Sequence, residues 1–136
     1  MRFSRLYPLM AMALYIPIHE AGHLLAAILS GYSITEVSLI PYLEGTNIVM
    51  GFVKASEMSP FVWMGGFLIT FIAGLYLIKF PRYRNFAFTW LSLAPATSAN
   101  DLWHVGGEAL MRASILLSAI MLGIWFYQVF LVKKIS

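Results

Sequence analysis

Four apolar stretches, each long enough to cross a lipid bilayer as a helix, restrict what this chain can fold into. A hydrocarbon core about 30 Å thick requires roughly 20 residues of helix. The stretches are Leu6–Leu29, Pro60–Phe80, Phe86–Val105 and Ala109–Val132. Since 60% of the 136 residues are hydrophobic and only 11% are charged, a water-soluble domain of this size has too little interior to bury them. The predicted fold is therefore an all-α membrane bundle of about four transmembrane helices, forming a single integral-membrane domain over residues 1–136.

The connection between the first two stretches has a different composition. Ser33–Ile40 and Asn47–Lys54 are rich in β-branched residues, and turn-forming residues separate them at Pro41–Gly45. We expect a short β-hairpin over about residues 33–54, lying at the membrane surface. The alternative for this connection is an irregular loop.

The positions of the basic residues predict the orientation of the bundle. In a four-span arrangement, seven of the nine Lys and Arg residues lie on one side: Arg2, Arg5, Lys79, Arg82, Arg84, Lys133 and Lys134. Because Lys and Arg accumulate on the cytoplasmic side of membranes, we expect a multi-pass protein of the cell membrane with both termini in the cytoplasm and the hairpin outside. The basic residues form no continuous face, which excludes nucleic acid as a partner.

Ionisable residues inside the first stretch indicate a functional site, because charge in a bilayer is costly. His19 and His23 are four positions apart and share one face of a helix, where both imidazoles can reach one zinc ion. The chain has no cysteine, so a metal must be held by His, Asp or Glu. Glu20 is offset by about 100° around the helix, which suits a general base that takes a proton from zinc-activated water. We therefore predict one zinc ion per chain and hydrolytic chemistry.

The third zinc ligand is expected near the end of the third stretch. Asp101 is the only aspartate in the chain and is the predicted ligand, with His104 as the competitor. His104 could instead orient Asp101 or stabilise an oxyanion. Asn100 could bind substrate or cap the next helix. Because Pro95 disfavours continuous helix, we expect an extended segment after it that lines a polar cavity.

The motif His19-Glu-Ala-Gly-His23 resembles the first motif of the site-2 protease family of intramembrane zinc metalloproteases. The resemblance covers nearly the whole chain. Its other elements are the run through Gly31 into a surface strand, Met64–Phe71 in the second span, and Ser92–Pro95 with Asp101–His104 in the third. The chain departs from the family pattern at Phe67, Thr70, Ser92 and Leu102, where the family has proline, asparagine, asparagine and glycine.

This resemblance implies cleavage of a peptide bond within or beside a transmembrane helix of a membrane-protein substrate, as in regulated intramembrane proteolysis. It also implies a site that opens toward the cytoplasm, whereas the charge distribution predicts that the site opens outward. An exposed edge of the hairpin would hold the unwound substrate by strand addition. The alternatives are a zinc-dependent membrane hydrolase of a lipid or small amphiphile, and a non-catalytic pseudoprotease or metal carrier. Glu20 favours hydrolysis over metal transport.

Overall fold

The computed structural model describes residues 7–49 and 51–127. Helix α1 (Tyr7–Leu29) is followed by four short strands, β1 (Ile34–Ser38), β2 (Tyr42–Glu44), β3 (Asn47–Val49) and β4 (Phe52–Ala55). Helix α2 (Pro60–Ile78), a 3-10 turn (Pro81–Tyr83), helix α3 (Arg84–Thr97) and helix α4 (Ala99–Phe126) complete the described part of the chain.

Large apolar side chains cover the outside of the helices. Ile72 on α2 and Leu116 on α4, for example, are each 63% exposed. Within the described residues, three helices qualify as membrane spans by length and composition: Leu9–Leu29, Pro60–Ile78 and Ala99–Phe126. The predicted membrane protein is thus confirmed at this level, with lipid as the solvent of its outer surface.

Glycines bring α1 and α2 into direct contact. A Cβ atom on Gly65 would lie 2.5 Å from the carbonyl oxygen of Gly22 and 2.8 Å from the Cβ atom of Ala26. A Cβ atom on Gly22 would collide with the carbonyl of Gly65 in turn. Small residues at such a seam let membrane helices approach closely. The two helices therefore form a closely packed pair at the depth of the His19–His23 motif.

The connection between α1 and α2 is a β-hairpin, as the sequence predicts. Strand β1 pairs antiparallel with β4, and β2 pairs antiparallel with β3. The turn lies at residues 45–46 and not across the predicted segment Pro41–Gly45. Gly45 has a φ of 62°, a left-handed conformation that glycine adopts without a steric penalty. Pro41 lies between the two ladders, where its missing N–H removes no strand hydrogen bond.

The third predicted span, Phe86–Val105, is interrupted by a junction between α3 and α4. The prediction of an extended segment after Pro95 is wrong, because α4 begins directly after Ser98. Ser98 donates its backbone N–H to the carbonyl of Ala94 at 3.1 Å, and its own carbonyl accepts from Leu102 N at 3.0 Å. Since the backbone stays hydrogen-bonded across the junction, no water-lined extended segment is needed there.

Helix α4 reverses at Gly107, whose φ of 71° and ψ of −166° are not helical. After this break, the hydroxyl of Ser118 donates to the carbonyl of Ser92 at 2.6 Å and accepts from Ala96 N at 2.9 Å. In a straight helix, Ser118 would lie about 28 Å from Ala99, so these bonds require the second part of α4 to return alongside α3. The returning part corresponds to the start of the fourth predicted span.

Two sequence predictions fall partly on residues outside the described ranges. The end of the fourth span, residues 128–132, and the four basic residues nearest the termini lie there. By length and composition, three helices of the described residues qualify as spans, and α4, which reverses at Gly107, is one of them. The count of four spans and the cytoplasmic placement of both termini therefore remain predictions.

Candidate metal centre

The two histidines of α1 lie side by side on the same helix face. The Nε2 atoms of His19 and His23 are 3.1 Å apart, and the rings meet edge to face with centroids 4.7 Å apart. Both residues are buried, with 6% and 4% of their surface exposed. The four-residue spacing places the two imidazoles on successive turns, as expected from helical geometry.

Asp101, from the first turn of α4, completes a group of three. Its Oδ2 atom lies 2.8 Å from His19 Nε2 and 3.3 Å from His23 Nε2. Among the described residues, these three side chains form the group of His, Asp and Glu that offers metal-ligating atoms to a common point. The junction at Ser98 makes this possible, because it starts α4 next to α1.

The proton positions at the three converging atoms suit a metal cation. His23 Nδ1 lies 2.7 Å from the carbonyl oxygen of Val62, which only accepts, so Nδ1 carries the proton and Nε2 presents a lone pair. Within the described structure, the buried Oδ2 atom of Asp101 has no hydrogen-bond donor, although both Nε2 atoms are close. The Nε2 lone pair of His23 thus faces a carboxylate oxygen, an arrangement that a cation between the two atoms would stabilise.

The spacing of the three atoms also fits zinc. Ligand atoms about 2.0–2.1 Å from a tetrahedral zinc ion are about 3.3 Å apart, and the observed separations are 2.8, 3.1 and 3.3 Å. Gly66 of α2 borders the same point. A Cβ atom at Gly66 would lie 2.6 Å from His23 Nε2 and 2.7 Å from His19 Nε2. The residues present therefore fit a zinc ion, and Gly66 keeps the space beside its nitrogen ligands free.

The outer nitrogen of each imidazole is held in a different way. For His23 the partner is the main-chain carbonyl of Val62, near the start of α2, where the hydroxyl of Ser59 caps the helix by accepting from Val62 N at 3.4 Å. For His19 the partner is the hydroxyl of Ser98, 3.5 Å from Nδ1. Partners of this kind fix the orientation of metal-binding imidazoles.

A cluster of three buried hydroxyls lies behind His19, and the sequence did not reveal it. Tyr15 Oη is 3.0 Å from Ser98 Oγ, 3.0 Å from Thr70 Oγ1 and 3.2 Å from the carbonyl of Ala94. The Tyr15 ring also stacks on the His19 ring, with centroids 5.4 Å apart. Tyr15, Thr70 and Ser98, termed the hydroxyl cluster below, thus join α1, α2 and the α3–α4 junction behind one imidazole. The only sequence signal was that Thr70 departs from the family pattern.

A cavity of about 560 Å³ opens beside the three converging atoms. Its walls include Glu20 from α1, Asn100 from α4 and residues 51–54 from the hairpin. Gly51 covers Glu20 closely, because a Cβ atom there would lie 3.0 Å from Glu20 Cγ. Glu20 is therefore in the same cavity as the His-His-Asp group without belonging to it, which is the arrangement that a proton-transfer role needs.

The two accessory predictions have different outcomes. Asn100 lines the cavity but lies within α4 and is not its cap, because the N-cap residue is Ser98. His104 is absent from the group of ligating atoms found in the described residues. Its ring stacks on Trp63 with centroids 4.0 Å apart and meets Trp103 edge to face. In this arrangement, Asp101 and not His104 is next to the histidine pair.

Comparison with known proteins identifies the family. The model of the Peptidase M50B-like family matches residues 4–135. No curated protein and no solved structure gives a match. The family match covers nearly all of the 136 residues, and the region it covers contains the His-His-Asp group and Glu20. The chain therefore belongs to the Peptidase M50B-like family, within the site-2 proteases that its motifs resemble.

Proposed function

We propose that this protein is a zinc-dependent endopeptidase that cleaves membrane proteins in or near their transmembrane segments. The observation that carries the proposal is the convergence of His19, His23 and Asp101 beside Glu20. This group lines a cavity between the helices and the hairpin of a peptidase-family chain. Ligating atoms, a neighbouring carboxylate and space for a substrate are the three requirements of metal-assisted hydrolysis.

His19 Nε2, His23 Nε2 and Asp101 Oδ2 would hold the zinc ion. Zinc in such a site supplies Lewis acidity, which activates water and polarises the substrate carbonyl. The protein's own contribution is orientation, since Val62 fixes one imidazole and Ser98 the other. Gly66 leaves the adjacent space free of side-chain atoms.

Glu20 performs the proton transfers in this proposal. Its carboxylate accepts a proton from the attacking water and later donates it to the nitrogen of the leaving amine. A carboxylate can make both transfers only if water reaches it, and the cavity beside Glu20 provides that room.

The hairpin supports a peptide as the substrate. A transmembrane helix hides its carbonyls in internal hydrogen bonds, so it must unwind locally before hydrolysis. Residues of β4 line the cavity, and among the described residues β1 and β4 form a two-stranded sheet in which each strand has a free edge. An unwound segment can add to such an edge through main-chain hydrogen bonds. Asn100, in the opposite wall, is placed to bind the backbone of the same segment.

The position of the motif along α1 favours entry from the hairpin side. His19 and His23 are ten and six residues before Leu29, which places them about 9–15 Å from the hairpin end of the helix. The distribution of Lys and Arg residues predicts that this side of the bundle faces outward.

Cysteines introduced at Thr46, in the hairpin turn, and at Asn85, near the start of α3, test the orientation with an impermeant thiol reagent. Labelling of Thr46→Cys alone from outside is expected, and labelling of Asn85→Cys from outside would reverse the orientation.

The function is tested by comparing membranes that contain the active protein with membranes that contain Glu20→Gln. We expect single-span proteins to accumulate uncleaved in the variant, while purified protein of both forms holds about one zinc per chain. Glu44→Gln, in exposed strand β2, is the matched control and should behave like the wild type. Purified protein without zinc, or equal cleavage in the wild type and Glu20→Gln, contradicts the proposal. Accumulation of a lipid in place of a protein would assign the site to an amphiphile hydrolase.

A further inference from the structure

A second cavity, of about 450 Å³, lies between α1, α2 and the start of α3. We call it the apolar slot. Its walls are almost entirely hydrocarbon, with Leu14 and Ile18 from α1, Ala73 and Leu77 from α2, and Trp90 from α3. The charged group at its edge is Arg82, in the 3-10 turn. This composition differs from that of the metal centre, whose cavity contains carboxylates and imidazoles.

The apolar slot lies at the end of the bundle opposite the hairpin. Contacts between Gly22 and Gly65, and between Tyr15 and Thr70, show that α1 and α2 run antiparallel. The slot residues of α1 precede Tyr15 or follow it closely, and those of α2 follow Thr70. The slot is therefore bordered by the turn that joins α2 to α3, where a membrane helix meets the lipid headgroups.

This turn is strongly basic. Lys79, Arg82 and Arg84 lie within six residues, and the sequence has no Asp or Glu between Glu57 and Asp101. In the described part of the chain, the ion pairs between a carboxylate and Lys or Arg involve Lys54 and Arg112, and none involves this turn. The Arg82 guanidinium instead lies over the ring of Tyr83, 5.9 Å from its centroid. In the described part of the chain, the turn thus presents exposed positive charge that has no carboxylate partner.

We propose that the apolar slot binds an acyl chain of an anionic phospholipid, whose phosphate is bound by Arg82. The slot offers hydrocarbon along its length and a guanidinium at its mouth, and a guanidinium binds phosphate oxygens in a bidentate geometry. Basic pockets between membrane helices recognise anionic headgroups in this way. The volume lies within the range of sites for single small molecules, about 300–1,000 Å³.

The size of the slot argues against a peptide occupant. A helix about 10 Å wide fills 450 Å³ with roughly one turn, so the slot cannot accept a substrate helix as a unit. An acyl chain is narrow enough to lie along it. The occupant would pack against Trp90, whose indole N–H donates to the carbonyl of Thr70 at 2.8 Å. Lipid binding would therefore support α3 against α2 close to the hydroxyl cluster.

The first test is thermal unfolding of the purified full chain in neutral detergent, with added phosphatidylglycerol or phosphatidylcholine. We expect phosphatidylglycerol to raise Tm by about 5 °C more than phosphatidylcholine does. Arg82→Gln should remove this difference, whereas Arg84→Gln, the matched control at the start of α3, should keep most of it. Equal shifts with the two lipids, or equal losses in the two variants, would overturn the proposal. The same shift with inorganic phosphate alone would also overturn it, because no acyl chain would then be required.

The second test fills the slot. Ala73→Phe places a ring inside it, and Ile72→Phe places the same ring on the 63%-exposed outer face of α2. Phosphatidylglycerol with a photoreactive acyl chain should label slot residues such as Leu14 and Leu77 in the wild type and in Ile72→Phe, but not in Ala73→Phe. Labelling that is spread evenly over exposed residues such as Ile72 and Leu116 would contradict a defined site. If Ala73→Phe fails to fold, two results still test the proposal. They are the labelling pattern of the wild type and the difference in lipid-dependent Tm shift between Arg82→Gln and Arg84→Gln.

Discussion

The two halves of the bundle hold their parts of the metal centre by different means. In the α1–α2 half, glycines allow close contact at Gly22 and Gly65, and a main-chain carbonyl orients His23. In the α3–α4 half, serine hydroxyls make the connections, with Ser98 near His19 and Ser118 bonded to α3. Substitutions that add atoms should therefore disrupt the α1–α2 half, and substitutions that remove atoms should disrupt the α3–α4 half. The predictions below test that contrast.

The largest effect is expected from an added methyl group at Gly66. The Cβ atom of Gly66→Ala would lie 2.6 Å from His23 Nε2, so the imidazoles must move apart from their present positions. We expect bound zinc, measured by elemental analysis, to fall from about one per chain to near zero. Gly123→Ala is the control, because a Cβ atom there meets nothing within 4 Å. Full zinc content in Gly66→Ala would show that the first half tolerates added atoms.

Removal of the carboxylate of Asp101 should have the next largest effect. Asp101→Asn replaces the anionic ligand by a neutral amide, and we expect the zinc affinity to fall by more than about 100-fold. His104→Ala is the comparison, since His104 stacks on Trp63 away from the ligating group, and its zinc affinity should stay close to that of the wild type. Competition with a chromogenic chelator measures both. The opposite pattern would assign the third ligand to His104.

Ser98→Ala tests the hydroxyl cluster as a positioning device. Loss of the partner of His19 Nδ1 should lower the zinc affinity by about tenfold. Thr89→Ala is matched to it, because Thr89 is fully buried on α3 and, within the described residues, its hydroxyl bonds the carbonyl of Asn85 in its own helix. The absorption spectrum of the Co²⁺-substituted protein reports ligand geometry separately from stability. A change in thermal stability without a change in affinity or spectrum would reduce Ser98 to a structural role.

The smallest effect is expected from Ser118→Ala, which should cost about 0.5–2 kcal/mol of unfolding free energy. Its hydroxyl joins α4 to Ser92 and Ala96, and its loss leaves both backbone groups without this partner. Ser114→Ala should cost less, because the Ser114 hydroxyl bonds Met111 in its own helix. Denaturation of the two variants in mixed micelles measures the difference. An equal loss of unfolding free energy in Ser118→Ala and Ser114→Ala would contradict the view that side-chain hydroxyls join α3 to α4.

Local periodicity was sufficient to predict much of the fold and part of the site. The four-residue spacing of His19 and His23 specifies a shared face once the segment is helical. The β-branched residues before and after the turn likewise predict the hairpin. These features depend on neighbours in sequence, which is why a single sequence reveals them.

The remaining features of the fold and of the site depend on contacts between residues that are distant in sequence. Asp101 and His104 are three positions apart, and only the placement of the first turn of α4 in the bundle decides which of them meets the histidines. Gly65 and Gly66 are adjacent, yet one contacts backbone and the other borders the metal centre. A threonine such as Thr70 is ordinary in an apolar helix, because Ser and Thr hydroxyls can bond to their own helix. No pattern in the neighbouring sequence distinguishes such residues from ordinary residues of an apolar helix.

The close approach of Gly51 to Glu20 has a mechanical consequence. A Cβ atom on Gly51, the residue before β4, would lie 3.0 Å from Glu20 Cγ, so a force that lifts β4 from the bundle uncovers the Glu20 side chain at the same time. A peptide that pulls on the strand edge would thereby change the hydration of the group that moves the proton. Substrate capture and turnover would then be linked steps, and stiffening the hairpin would slow both together.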